Sequence, residues 1–192
     1  MNDRQIQIGT LGLAHFCIKD QDPIDKLSEY YCISDLSEKQ TVKELDWGFI
    51  YKEDEKSKKF ILLTDLNGWS YLLWNYWDFE GNINLATDLS KILKTTVNYY
   101  FVDSYIATSR WIFANNGELT RTCFESHGKK LFDIGFNEVE TELRATMNDV
   151  FVEGIFWDLY EKTCVSLEFV NSQNRTELTL YTGTLGEKKN NG

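Results

Sequence analysis

The segment from Phe60 to Asn82, FILLTDLNGWSYLLWNYWDFEGN, limits what this chain can fold into more than any other. Asn67-Gly68 provides the positive φ angles that a two-residue hairpin turn demands. In that register Leu66 faces Trp69, Thr64 faces Tyr71 and Leu62 faces Leu73. Both faces of the pair are then largely apolar, which suits strands in the middle of a sheet covered on both sides. The segment holds three of the six tryptophans (Trp69, Trp74, Trp77) and no basic residue. Trp77, Asp78, Phe79 and Glu80 follow the second strand, where a loop is expected, and form a candidate binding lip of aromatic and acidic side chains.

Around that hairpin the pattern is that of an α+β chain. Thr10 to Ile18 alternates, with Leu11, Leu13, His15 and Cys17 on one side and Phe16 and Ile18 on the other, as in a strand. Asp22-Pro23 reads as an N-cap followed by the first helical residue, ahead of Ile24, Leu27, Tyr30 and Tyr31. Leu45 to Tyr51 reads as a strand running into the charged loop KEDEKSKK. Leu85, Leu89, Ile92 and Leu93 have helical spacing, with Lys91 and Lys94 near the expected C-terminus. Val97–Val102 and Ile106–Ala114 are strand-like, and Asn116-Gly117 makes a second tight turn into Leu119–Phe124. Lys130 to Ile134 reads as a short edge piece. Asn137 and Glu140 have capping-box spacing ahead of Val139, Leu143 and Met147, opening one kinked helix or two consecutive ones up to about residue 162. Val165–Val170 and Glu177–Tyr181 close the set as strands. The expectation is a single domain over residues 1–185, a central and largely antiparallel sheet packed against helices, with a frayed tail over 186–192.

Composition excludes several classes of function. Thirty acidic against twenty basic residues give a formal charge of -10, which repels nucleic-acid phosphates and anionic lipid and favours a basic partner. The opening MNDRQIQIGT lacks the apolar stretch of a signal peptide, and nowhere do about 18 apolar residues run together. A cytoplasmic protein bound neither to membrane nor to nucleic acid is therefore expected. Cys17, Cys32, Cys123 and Cys164 are scattered without a CxxC and read as reduced core thiols.

The residues that catalysis would need are sparse. His15 alternates with apolar residues and reads as a core imidazole, while Cys123 and His127 supply two ligands of a zinc site at most. No cofactor or metal is expected, and no catalytic residue is assigned. Arg110 and Arg121 are the sharper pair. If the Asn116-Gly117 hairpin is regular, Ile112 faces Arg121 and the two guanidiniums lie diagonally on one sheet face, where they could hold a phosphate or carboxylate. The competing expectation is that each meets a carboxylate of a covering helix, such as Glu140 or Glu142.

The order of Gly68-Trp69, Trp74, Leu89-Ser90, the strand from Val97, Trp111, Asn116-Gly117-Glu118, Arg121, Gly135, Glu138 and Glu140 resembles small bacterial domains, several of them cognate immunity proteins of polymorphic or contact-delivered toxins. The likeness spans roughly Leu45 to Leu143. It implies a protein that binds a cognate toxin and occludes its active site, with no catalytic residue to carry over. A toxin that acts on nucleic acid or nucleotides presents a basic cleft, to which an acidic inhibitor is complementary. The rival readings are an enzyme that holds an anionic small molecule through Arg110 and Arg121, and a structural or adaptor module.

Overall fold

The structure, a computed structural model, describes residues 14–43, 58–74, 79–103, 106–146, 152–164 and 177–189. Its elements in chain order are β1 (Ala14–Ile18), α1 (Ile24–Tyr30), β2 (Tyr31–Ser34), β3 (Gln40–Val42), β4 (Lys59–Leu66), β5 (Trp69–Trp74), α2 (Phe79–Leu93), β6 (Thr96–Asp103), β7 (Thr108–Asn115), β8 (Glu118–Ser126), β9 (Lys129–Gly135), α3 (Glu138–Thr146), α4 (Val152–Thr163) and β10 (Leu178–Lys188). The strands form one sheet in the order β2-β10-β4-β5-β1-β6-β7-β8-β9, with β3 also paired to β10. Every pairing among the described residues is antiparallel. The fold is α+β, as the alternating strands and the two Asn-Gly turns predict.

The β4–β5 hairpin lies inside the sheet, and its two faces serve different cores. Ile61, Leu63, Tyr71 and Leu73 join Trp111, Phe156 and Tyr160 on the face covered by α3 and α4. Phe60, Leu62 and Leu72 join Leu27, Leu89 and Tyr99 on the face covered by α1 and α2. Strand β1 obeys the same alternation, with Cys17 in the first core and Phe16 and Ile18 in the second. His15 is buried among Tyr71, Tyr100 and Tyr160, with ring centroids 5.9, 5.9 and 5.3 Å away, as a core imidazole should be.

The turns form where expected, but the registers differ from a regular hairpin. Leu66 does face Trp69, yet beyond it Leu63 faces Tyr71 and Leu62 faces Leu72. One extra residue has been absorbed into β4, and Asp65 takes φ +61° there. The β-bulge turns Leu66 onto the same face as Leu63. It is held from outside the hairpin: Asp65 N donates to Gln21 O at 3.0 Å, Gln21 Nε2 donates to Asp65 Oδ1 at 2.8 Å, and Lys39 lies 3.3 Å from Asp65 Oδ2.

Other boundaries move for local reasons. Asp22 does not cap α1; its Oδ2 accepts hydrogen bonds from Lys39 Nζ at 2.7 Å and from the Tyr181 hydroxyl at 3.2 Å, and Pro23 precedes the first helical residue. Tyr31 leaves the helix to begin β2. Helix α2 starts at Phe79, earlier than the apolar spacing indicates, so Phe79 and Glu80 form a first helical turn and not a loop. Gly186 to Lys188, expected to fray, complete β10; Lys188 faces Tyr31 and Lys189 N donates to Tyr30 O at 2.8 Å. The strands expected at 45–51 and 165–170 lie outside the described residues. Cys17, Cys123 and Cys164 are buried free thiols, whereas Cys32 is exposed, contrary to expectation.

Candidate functional site

Where β8 and β9 close the sheet, each face and the edge carry a different arrangement. On the α3 side, Asn137 caps the helix as its spacing predicts: Glu140 N donates to Asn137 Oδ1 at 2.9 Å. The Glu140 side chain does not return to the cap, as in a full capping box. It points into the protein and accepts from Arg121 Nε at 2.7 Å, Arg121 Nη2 at 2.8 Å, Trp111 Nε1 at 3.0 Å and Arg144 Nε at 2.8 Å. Arg121 also donates from Nη1 to the Thr122 and Ile134 carbonyls at 3.0 Å each and pairs with Asp133, while Arg144 pairs with Glu125.

This is a buried ionic cluster in which each charge meets opposite charge. Burial by itself would raise the Glu140 carboxyl, but the hydrogen bonds from Arg121, Arg144 and Trp111 prevail and hold it below its ordinary value. Asp133 is lowered too, by its bond from Lys130 and, against some desolvation, by Arg121. Burial, and after it the Glu125 carboxylate, push the Cys123 thiol up to about 12, so it is no nucleophile at neutral pH.

The opposite face carries Arg110, which corrects the expected pairing of the two arginines. Phe113, not Ile112, faces Arg121, because β8 absorbs an extra residue at Thr120. The Thr120 hydroxyl donates to Phe113 O at 3.0 Å, and Phe136 N donates to Thr120 O at 3.1 Å, which stabilises the bulge. One residue of slip turns every later side chain over. Arg121 therefore faces α3, and Arg110 faces the α2 side. The first meets the helix carboxylate that the sequence suggested, Glu140; the second lies over the rings of Phe101 and Phe124, 5.6 and 4.2 Å from their centroids. The two do not form a common anion site.

Arg110 belongs to a row that no sequence pattern announces. Phe101 faces Arg110, Arg110 faces Phe124 and Phe124 faces Phe132, so four neighbouring strands place one residue each in line across the sheet. Burial falls along it. Phe101 is 1% exposed and Phe132, on the last strand, 37%. Beside Phe132 the edge exposes Leu131 at 59%, Ile134 at 50% and Phe136 at 67%, so four large apolar side chains are exposed within the six residues from Leu131 to Phe136.

The start of that run is controlled. Leu131 is the extra residue of a third bulge, between Phe124 and Glu125 of the partner strand, which brings Lys130 and Asp133 to one face at 2.8 Å although they are three apart in a strand. Lysines and a bulge are the usual means by which an edge strand resists uncontrolled pairing. Here they guard the start of β9, and among the described residues no strand pairs with its outer side.

Of the residues expected to form a binding lip, Trp77 and Asp78 lie outside the described residues. Glu80 is exposed in the first turn of α2, where its charge suits the helix dipole. Cys123 is buried, while His127 sits in an exposed turn with Nδ1 3.0 Å from Ser126 Oγ, so the two do not converge on a common point. Among the described residues no group of three or more His, Cys, Asp or Glu is placed to hold a metal ion, and no helix is long and apolar enough to cross a membrane. The chain matches no protein family model, no curated protein and no solved structure.

Proposed function

We propose that this chain is a protein-binding inhibitor of the immunity class, which captures a cognate toxin and occludes its active site through the open β9 edge. The observation that carries the reading is the run Leu131, Phe132, Ile134 and Phe136, exposed on the last strand of the sheet. Large apolar side chains clustered on an edge are the residue types that anchor a protein interface, where a few rings supply most of the affinity. The support beneath them is rigid. Phe132 ends the cross-strand row of Phe101, Arg110 and Phe124, and the carbonyl of Ile134 is held by Arg121. A surface ordered before contact loses less entropy on binding. The acids Glu138 and Glu142 stay exposed on α3, directly after Phe136, and the net charge of -10 acts over a longer range on a basic partner.

The adjacent charges argue against catalysis at the same place. Arg121, Glu140, Arg144 and Glu125 are committed to one another, which leaves a scaffold and no poised acid, base or nucleophile.

The test is co-expression with a toxin encoded beside this chain, together with binding of the purified pair. Native chain is expected to protect, and Phe132→Ala with Phe136→Ala to lose both protection and affinity while keeping its melting temperature. Absence of binding and of protection by the native chain would overturn the function; protection that survives the double variant would keep the function and discard the surface.

A further inference from the structure

A cavity of about 300 Å³ opens where the end of α1, the second half of α2 and the end of β10 meet, lined by Tyr30, Asp88, Lys91, Ile92, Lys188 and Lys189. We propose that it binds a small phosphomonoester, with the phosphate among the three lysines and a hydroxylated body between Tyr30 and Asp88. The site is independent of the β9 edge and of the inhibitor reading.

Charge is the first reason. Three ammonium groups and one carboxylate give the cavity a positive balance in a chain whose total is -10. Two of the ammonium groups are already positioned. Lys188 pairs with Asp88, and Lys189 donates from Nζ to Ser28 O at 2.5 Å, near the C-terminal end of α1. An ammonium has three donors, so each of these keeps hydrogens for a second acceptor. Lys91 stands exposed in the last turn of α2, where its stem passes Gly117 of the β7–β8 turn.

The residue after Tyr30 carries an unmatched polar group. The Tyr31 hydroxyl is buried, with its residue 5% exposed, and has no hydrogen-bond partner among the described residues. Burial, and after it the Asp88 carboxylate, raise its pKa. The lining also offers Ile92 and the ring of Tyr30, 39% exposed, against which a flat or aliphatic body can pack. The volume is at the lower limit of about 300 Å³ for small-molecule sites, which suits a sugar phosphate or a nucleoside monophosphate better than a larger cofactor.

The experiment is a titration of the full chain followed by backbone amide resonances, first with inorganic phosphate and then with adenosine monophosphate, at constant ionic strength set with chloride. Saturable shifts are expected at Tyr30, Asp88, Lys91, Lys188 and Lys189, with the nucleotide binding tighter than phosphate. Lys91→Gln with Lys188→Gln should weaken both ligands by about tenfold, each substitution removing one exposed charge contact. Asp88→Asn should strengthen phosphate and narrow the advantage of the nucleotide, since it removes repulsion and the hydroxyl partner together. Linear, unsaturated shifts, or affinities that the double lysine variant leaves within twofold, would overturn the proposal. A nucleotide that binds no tighter than phosphate would overturn the part assigned to Tyr30 and Asp88.

Discussion

Arg121 on β8 and Glu140 on α3 meet through two parallel hydrogen bonds, Nε to Oε2 at 2.7 Å and Nη2 to Oε1 at 2.8 Å, with each side chain only 4% exposed. That fork fixes the rotation of α3 against the sheet, because Trp111 of β7 bonds to the same carboxylate and Arg144, on α3 itself, pairs with Glu125 of β8. Removing one partner leaves the other charge buried and unpaired. Arg121→Ala or Glu140→Ala is therefore expected to cost about 3–5 kcal/mol in urea denaturation, whereas Arg121→Met with Glu140→Leu should cost less than either alone. Single variants within about 1 kcal/mol of the native chain would refute this account of the cluster.

Acid should loosen the same region. The Glu140 and Asp133 carboxyls are both lowered on folding, so the unfolded chain takes up protons first as the pH falls. Their stabilising contribution is complete above the unfolded values of about 4 and is lost as the pH falls through the folded values. Denaturation midpoints measured from pH 7 to pH 3 should decline mainly below about pH 4.5, and Glu140→Gln should flatten that decline. A decline unchanged in Glu140→Gln would remove Glu140 from the acid response.

Gly135 is expected to reject any side chain. It has φ +81°, and an added Cβ would lie 2.2 Å from Thr120 O, the backbone of the neighbouring bulge. Gly135→Ala should cost roughly 2 kcal/mol or more, since it combines a strained conformation with a backbone clash. Gly68 also has a positive φ, +83°, but nothing lies within 4 Å of an added Cβ, so Gly68→Ala should cost less. Equal losses in thermal melts would contradict this reading.

Binding at the β9 edge should separate contact from steering. Phe132→Ala and Phe136→Ala are expected to speed dissociation of the cognate toxin, each by about tenfold or more, because buried rings act after docking. Association should slow as salt rises, and charge reversal at Glu80, Glu138 and Glu142 should slow it further. Surface-based kinetics across a salt series measures both. Salt-insensitive association would refute electrostatic steering, and unchanged dissociation in the phenylalanine variants would refute the edge as the contact.

Much of the architecture was legible in local pattern. Asn67-Gly68 and Asn116-Gly117 announced two hairpins because only a few residues accept paired positive φ angles. The doubly apolar run of β4 and β5 announced a central, covered hairpin, and Asn137 announced the start of α3. The spacing to Glu140 was also visible, though not that its carboxylate would turn inward to Arg121.

Tertiary contacts decided the rest, and they did so through single residues. Asp65, Thr120 and Leu131 each absorb one extra position into a strand, and no hydrophobic period marks them. Gln21 holds the first of these bulges from a distant loop, and Phe136 with the Phe113 carbonyl holds the second. A strand has period two, so each such residue exchanges the faces of all that follow. That is why sequence could place Arg110 and Arg121 on adjacent strands but only the folded sheet could put them on opposite sides, and why the exposure of Phe132, Ile134 and Phe136 became visible only once β9 had taken the outer place. Local chemistry determined which elements form; which residue faces which followed from long-range hydrogen bonds that exist only after the strands have met.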